Sequence, residues 1–534
     1  MSAFTPDEAA VLAPYFTNLD RPIFALVNLP ETVKGALFAR YSRSAKSLRR
    51  LFLDEFADQV GQAASASTIG AARAEKLYQK VFSDYGDDSV AQLGGAHLAC
   101  EDVSNILTKV LERGRLMAYL EQSTRYIPYT ERRGDAGSTA LTAGWRYIVP
   151  AELDGHPLRA GFISTMNDAF ETYARWIDPM RAWFERRYPK SPADSDGVYR
   201  SAIRAKALDT LRGLLPAATQ SNVGMYGTGQ AYESLLLRMR AHPLAEVRDA
   251  SDQMLDELRK VIPAFLVRVD QPERGGRWTT YLADTRRRLD ELAERMLIEP
   301  AASGAAEVTL SDFDPDGEIK VVAAALYASS DASDEALMAA ARRMTADERA
   351  EVLRACTGAR GNRRHKPGRA FERTAYRFDI LTDYGAFRDL QRHRLLTLEW
   401  QSLTTRHGYS RPEAIVDAGG EADWQRVMDR SAELYESMAT AGCGSAAQYA
   451  VSMAFRIRFI MDMNAREALH VIELRTSPQG HPAYRRVCQE MHRLIADTAG
   501  HRAIAAAMQF VDHSVIELER LQEERRLEQK RQDR

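Results

Sequence analysis

Two permanently charged guanidiniums flank an imidazole at Arg392-His393-Arg394. Such a cluster repels itself unless an anion or carboxylates neutralise it. Phosphates are natural partners, because guanidinium forks match their oxygens. Taken alone, the triplet reads rather as a solvated basic turn. A second run, Glu121-Gln122-Ser123-Thr124-Arg125-Tyr126, joins a hydroxyl, loop N–H groups and a guanidinium two residues on. Those are the parts of a loop that binds a phosphate monoester. Glu121 can accept from a base or ribose, and Tyr126 can stack or fill core. The other reading of this run is a turn with a surface ion pair.

These residues need elements to hold them. Val103, Ile106, Leu107, Val110 and Leu111 fall at i, i+3, i+4, i+7 and i+8, which predicts one apolar helix stripe ending near Arg113. Tyr376, Phe378 and Ile380 alternate like a strand, and a short helix then leads to Arg392. Ala465, Ala468, Leu469 and Ile472 predict another helix, with Asn464 at its start and Arg475 about three turns on.

The landmarks come in pairs. Arg113-Gly114-Arg115 is followed by LMAYLEQ and Ser123, and Arg392-His393-Arg394 by LLTLEWQ and Ser402. Downstream, LLLRMRA carries Arg240 and VIELRT carries Arg475. The pattern reads as a duplication, with a first repeat at 1–298, a second at 319–514 and a charged helical tail at 515–534. Arg113 to Arg240 is the longer span, so an insertion is expected at about 130–200, with a loop-like start (ERRGDAGSTA), aromatic helical patterning (YARWIDPMRAWFERRY) and a polar patch (PKSPADSDG). Residues 299–318, rich in Ala, Gly, Pro and Asp, read as a linker. The tail's charge pattern reads as a solvated helix, with a partner-binding helix as the sharper alternative.

A basic triplet, a gap of seven and a serine together resemble the signature of the flavin-dependent thymidylate synthase family. The tail of that signature, E-x-S-x-R-Y, stands in the first half, and its Arg-His-Arg front is intact in the second. Asn464-Ala465-Arg466…His470…Leu474-Arg475 resembles the family's Asn-Ala-Arg helix. The resemblance implies a mixed α+β, helix-rich fold duplicated in tandem. It implies FAD between subunits, in contact with Arg392, His393 and Arg394, with Asn464 and His470 lining the flavin and Glu372 near it. In the first half Gln92 holds only a roughly matching place, Gly114 stands for the histidine, and Gly229-Gln230-Ala231 lacks the asparagine. Its flavin side is expected to be impaired.

The nucleotide side is reversed. The resemblance gives the dUMP phosphate Ser123, Arg125 and Arg212, with Glu121 and Gln122 of the same run and Ser402 of the second copy also on the substrate side. In the second half Thr404 stands for Arg125, Trp400 for Glu121 and Gln448 for Arg212, and Arg406 comes two positions late. A working site would then join phosphate groups from the first half to flavin groups from the second, and it fails if Arg125 and Arg392 line different clefts. Family members are tetramers, so a tandem chain is expected to form a homodimer with two competent and two decayed sites. The implied reaction is reductive methylation of dUMP at C5 with methylene-tetrahydrofolate and NADPH. It uses no protein nucleophile, and Arg475, or Arg240 from the first half, polarises the uracil carbonyl. The alternatives are a flavin enzyme modifying C5 of another pyrimidine nucleotide, and a non-catalytic flavin- or nucleotide-binding paralogue.

Composition sets the outer bounds. At 534 residues, two to four domains of roughly 100–200 residues are expected. Basic and acidic residues number 72 and 74, so no global charge draws the chain to nucleic acid or an anionic membrane. Cys100, Cys356, Cys443 and Cys488 stand far apart, without a C-x-x-C pair. They read as reduced, mostly buried thiols and give no support for a metal. With no signal-like N-terminus and no apolar run long enough for a membrane span, a cytoplasmic protein is expected.

Overall fold

Ser104 accepts a hydrogen bond from the backbone N–H of Leu107, and so ends one strand and opens one helix: β1 (Gly95–Ser104) runs directly into α1 (Asn105–Leu111). The computed structural model describes residues 4–20, 24–41, 46–57, 92–125, 127–132, 144–296, 306–516, 518 and 520–532. After α1 come β2 (Met117–Glu121), α2 (Arg159–Arg187), α3 (Asp196–Leu211), β3 (Gln220–Thr228) and α4 (Gly229–Arg240), the last capped by the Thr228 hydroxyl. β4 (Val308–Phe313) opens the next set. β5 (Ala375–Asp383) runs into α5 (Tyr384–Leu390) through the Asp383 cap, and β6 (Thr397–Trp400) and α6 (Glu421–Thr440) follow. β7 (Arg456–Asn464) runs into α7 (Ala465–Arg475) through the Asn464 cap, ahead of α8 (Pro482–Asp497) and α9 (Leu521–Gln532).

The duplication is visible in this order. Twice a strand runs through a capping side chain into a seven-residue helix, with a basic triplet beginning two residues beyond its end. Twice a nine-residue strand is followed by a helix that ends on arginine, Arg240 and then Arg475. The sheets have orders β1-β3-β2 and β4-β5-β7-β6, so the second repeats the first and adds β4 at one edge. β5 and β7 pair antiparallel along their whole lengths, from Ala375 opposite Asn464 to Asp383 opposite Arg456.

The chain divides into two compact units that do not follow the two repeats. Unit 1 holds 1–101, 114–121 and 222–299; unit 2 holds 102–113, 122–221 and 300–534. In unit 1, α4 buries Leu235, Leu236, Leu237 and Met239. In unit 2 the inward faces of β5 and β7 (Phe378, Ile380, Phe459, Met461) and of α7 (Leu469, Ile472) are fully or nearly fully buried. α2 lies against α6, where Arg426 donates to Thr172 and the Trp176 indole to Asp423.

Within unit 2 the two copies face each other across a local two-fold relation. Aligning Arg212 with Gln448 makes Gly213 equivalent to Tyr449 and Ala218 to Ala454. The bond from Ala454 N to Gly213 O (3.0 Å) then maps onto that from Ala218 N to Tyr449 O (3.1 Å). Likewise Met453 N to Leu215 O maps onto Ala217 N to Val451 O. Aligning Arg113 with Arg392 maps Asn105 N to Thr219 O onto Tyr384 N to Phe455 O.

Several expectations change in detail. The stripe from Val103 to Leu111 is a helix only from Asn105, because the Ser104 cap hands Val103 to β1. The stretch taken as a linker contains β4, whose Val308 and Leu310 pair with Ile380 and Phe378. The aromatic part of the expected insertion is the helix α2; its loop-like start falls largely outside the described residues. The tail is helical, yet it is not merely solvated: Arg525 forks onto the buried Asp194 (2.6 and 3.0 Å), and Glu528 accepts from Ser195, the cap of α3. All four cysteines are free, but only Cys488 is buried; the others are half-buried. No helix among the described residues is long and apolar enough to cross a membrane.

Candidate functional site

Asp389 sits in the last turn of α5 and is 8% exposed. Arg392, Arg212, Arg475 and Arg125 all act on its carboxyl and hold it below the usual carboxylate range against the opposing effect of burial. Arg392 lies three residues on, at the helix end, 3.7 Å from Asp389. Arg212 follows the C-terminus of α3 and reaches the other carboxylate oxygen at 3.4 Å. Two glycines make that approach possible. A Cβ on Gly213 would come within 2.7 Å of Trp424, and one on Gly385 would stand 3.1 Å from Arg212 Nε. Arg212 is 4% exposed, and among the described residues its Nη2 has no hydrogen-bond partner.

Arg125 is held from the other side. Its Nε lies 2.8 Å from both oxygens of Asp209, one α-helical turn before Arg212 in α3, and Nη2 adds a 2.6 Å contact. Nη1 donates to the Tyr484 hydroxyl and Nη2 to the Gln479 carbonyl, both at 3.3 Å. The Ser123 hydroxyl accepts from the Arg125 backbone N–H. His481, at the cap of α8, feels Arg212, Arg125, Asp389 and Lys206, and burial with those cations keeps it neutral, well below its ordinary pKa. Asp383 lies near Arg212 and is pushed up by burial. Arg125, Arg212, Arg392 and Arg475 thus gather around Asp389, with Asp209 on Arg125 and Asp383 near Arg212. Four guanidiniums about one buried carboxylate, with the buried Arg212 Nη2 lacking a partner among the described residues, suit an anion.

Beside this centre lies the histidine of the triplet. Arg475 Nε donates to His393 Nε2 at 2.9 Å, so the His393 proton belongs on Nδ1, 3.7 Å from Glu467. Among the described residues, the two terminal nitrogens of Arg475 make no hydrogen bond; its guanidinium carbon stands 5.6 Å from the Tyr484 ring centre. His393 is driven well below its usual pKa by burial, then by Arg475, His470 and Lys366. Burial is also the main cause that takes His470 down to about 4 and Glu467 up to about 7. His393, Glu467 and His470 place one ligand atom each within 4.8 Å of one another, a geometry able to hold a cation. Lys366, Arg363, Arg394, Arg466 and Arg475 act on the same groups, so the field there favours an anion instead.

The remaining expected residues are distributed unevenly. Asn464 is the cap of α7, accepting from the backbone of Glu467. Glu372 is engaged by Arg369 (2.9 Å) and Arg466 (3.5 Å). Arg392 and Arg394 are exposed. Gln122 accepts from Arg146 at 3.4 Å. Ser402 lies exposed in the loop after β6. Glu121 ends β2 and is buried, and Arg240 ends α4 and is clamped on Asp252; both belong to unit 1. Gln92, also in unit 1, donates to Gln230. Tyr126 lies outside the described residues. Sequence reasoning missed Asp209, Asp389, His481, Tyr484, Lys366 and Glu467. Only Asp389 left a trace, as an acid three residues before Arg392 on a helix, the spacing of a surface ion pair.

The family described as "Thymidylate synthase complementing protein" matches residues 36–264 and 309–499. A UPF0159 protein of Chlamydia muridarum is 38% identical over 98% of this chain and 98% of its own. A flavin-dependent thymidylate synthase of Clostridium tetani is 26% identical over 38% of this chain and 74% of its own. Among solved structures, the UMP/dUMP methylase PolB of Streptomyces cacaoi, bound with 5-Br dUMP, covers 37% of this chain and 94% of that one at 18% identity and a TM-score of 0.29.

Proposed function

From the premise that the chain belongs to the thymidylate synthase complementing protein family, the flavin-dependent thymidylate synthases, we propose that unit 2 binds dUMP and methylates it reductively at C5. The observation that carries this reading is the convergence of Arg125 and Arg212 from the first copy with Arg392 and Arg475 from the second on one buried carboxylate, Asp389. A phosphate monoester supplies the charge this centre lacks, and guanidinium forks suit its oxygens. Arg212, with an orphan Nη2, is the first group to gain. Arg125 is pre-oriented by Asp209, so little side-chain freedom is lost on binding. Ser123 adds a hydroxyl from the loop that carries Arg125.

Arg475 is the residue for the pyrimidine. Its Nε is fixed on His393, and its terminal nitrogens are free to donate to a ring carbonyl and to stabilise charge developing on the ring. Arg240, clamped on Asp252, is the decayed counterpart.

The residues around His393 fit a flavin dinucleotide. Two neutral imidazoles, His393 and His470, offer ring-sized polar contacts, and Arg392, Arg394, Lys366 and Arg466 supply cations for a pyrophosphate. Bound there, FAD would supply hydride from NADPH and take part in moving the one-carbon unit from methylene-tetrahydrofolate. The chain's own part is to orient the pyrimidine, balance its charge and keep His393 in one tautomer through Arg475. A homodimer, giving four copies of the fold in one assembly, completes the proposal. Tritium release from [5-³H]-dUMP with methylene-tetrahydrofolate and NADPH tests the reaction. Yellow protein without tritium release from dUMP would redirect the proposal to another pyrimidine nucleotide, and colourless, inactive protein would leave a non-catalytic paralogue.

A further inference from the structure

The turn from Gln479 to Tyr484 wraps the guanidinium of Arg125. Gln479 supplies a carbonyl to Nη2 and Tyr484 a hydroxyl to Nη1, and between them stands His481. The imidazole is positioned by its own helix: Nδ1 accepts the backbone N–H of Ala483 at 3.2 Å, in the first turn of α8. An accepting Nδ1 leaves the ring proton on Nε2. Among the described residues, that N–H has no hydrogen-bond partner. His481 is half-buried and lies within the field of Arg125, Arg212 and Asp389, where Arg212 Nη2 is buried and has no partner among the described residues. A half-buried histidine donor from one copy and a buried, unpartnered arginine donor from the other therefore share one electropositive centre at the start of a sixteen-residue helix, whose dipole adds to the attraction for an anion.

We propose that His481 is a further phosphate-binding residue of this site, donating its Nε2–H to the dianionic phosphate held by Arg125 and Arg212; the inference rests on the reading of unit 2 as a nucleotide site. The neutral ring suits this role. A further full charge beside those guanidiniums would be costly, whereas a neutral donor adds a directed bond at no such cost. The residue also ties recognition to α8, since the ring donates with one nitrogen only because the helix N-terminus occupies the other.

Two substitutions in the full-length chain separate donor from cap. His481→Asn keeps an acceptor for Ala483 N–H and removes the Nε2 donor. His481→Gln loses the cap and keeps an amide N–H near the Nε2 position. Binding of dUMP, deoxyuridine and inorganic phosphate is measured by calorimetry for each protein. The expected result is a loss of about 10- to 100-fold in dUMP affinity for His481→Asn, the range of a hydrogen bond to a charged group. Deoxyuridine affinity should not change, and His481→Gln should stay within about threefold of the parent, as a retained donor requires. Unchanged dUMP affinity in His481→Asn overturns the proposal, as does an equal loss for deoxyuridine. If the parent binds inorganic phosphate but not dUMP, the nucleotide reading falls, and the phosphate affinities of the two variants still decide whether His481 is a donor to the anion.

Discussion

The same family elements meet twice in unit 2, once as an unsatisfied centre and once as a closed one. Around Asp389, guanidiniums from both copies gather on one buried carboxylate, and among the described residues a buried nitrogen of Arg212 goes without a partner. At the related place, Arg113 is the counterpart of Arg392, and both oxygens of Glu399 accept from its Nη2 at 2.7 and 2.6 Å. The Arg113 guanidinium also lies 5.1 Å from the centre of the Trp400 ring, which occupies the position of Glu121. Gln448, in place of Arg212, spends its amide on the backbone of Leu403 and Ser445. Arg406 faces outward to Glu436 at 3.9 Å. A one-to-one ion pair needs no ligand, whereas a buried guanidinium nitrogen without a partner gains from one. On the proposed reading, one of the two related places keeps its need for an anion while Arg113 and Gln448 at the other are held by the chain itself.

Substitutions at equivalent positions can break this comparison. The largest difference is expected between Arg475→Ala and Arg240→Ala. The first should lower kcat/KM by about 10²–10³-fold, the usual effect of losing one preorganised donor to developing charge, and the second should leave it near the parent value. Equal effects would end the assignment of roles to the two copies. Next come Arg212→Ala and Gln448→Ala. Removing Arg212 takes a phosphate ligand away and leaves Asp389 and Asp383 less compensated, so dUMP affinity should fall by roughly 100-fold, while Gln448→Ala should leave affinity unchanged in the same titration. If Gln448→Ala weakens dUMP binding as much, the second neighbourhood is not closed.

How much of this could be read from the chain depended on whether the cause was local. The strand carrying Tyr376, Phe378 and Ile380, the helix capped by Asn464 and the pairing of Arg113 with Arg392 were legible, because periodicity, caps and spacing act over a few residues. A pairing of unlike halves was expected because each copy lacked what the other kept, and Arg125 and Arg212 of one copy do meet Arg392 and Arg475 of the other around Asp389. Asp209 and His481 were not, because their meaning arises only when α3 and α8 come together at Arg125. β4 was hidden in an Ala- and Gly-rich stretch, since an edge strand of six residues takes its stability from the sheet it joins rather than from its own composition. Asn464 shows a different limit. The residue expected at the flavin is fully explained as a helix cap, so its presence in a motif reports folding at least as directly as binding.

The smaller effects concern stability. Glu467 is 6% exposed in its side chain and has its pKa raised to about 7, so its ionised form is disfavoured in the folded state. Its penalty is absent below the unfolded value near 4.5 and is complete above about 7. His470 acts in the opposite direction: its folded value near 4 lies below the ordinary 6.5, so stability is lost as pH falls through that interval. Glu467→Gln keeps the histidine and removes only the first effect. It should therefore gain on the order of 2 kcal/mol over the parent at pH 8 and little at pH 4, read from urea midpoints at the two pH values. A gain that does not grow with pH would mean that the carboxyl is ionised and compensated throughout.

The smallest effect is expected at the closed neighbourhood itself. Arg113 and Glu399 are 43% and 61% exposed, so water and salt screen their attraction and the pair should contribute less than about 1 kcal/mol, even with the Trp400 contact. Arg113→Ala should therefore shift the denaturation midpoint only slightly and leave dUMP turnover unchanged. That pairing of small values is the point of the test. A turnover loss of tenfold or more would show that Arg113 serves a ligand and that its ion pair with Glu399 is the resting state of a second working site. A stability loss well above the range for an exposed pair would instead assign Arg113 to the joint between the copies, where α1 already meets α5 through the Tyr384 hydroxyl on Asn105 O and Gln391 Nε2 on Lys109 O.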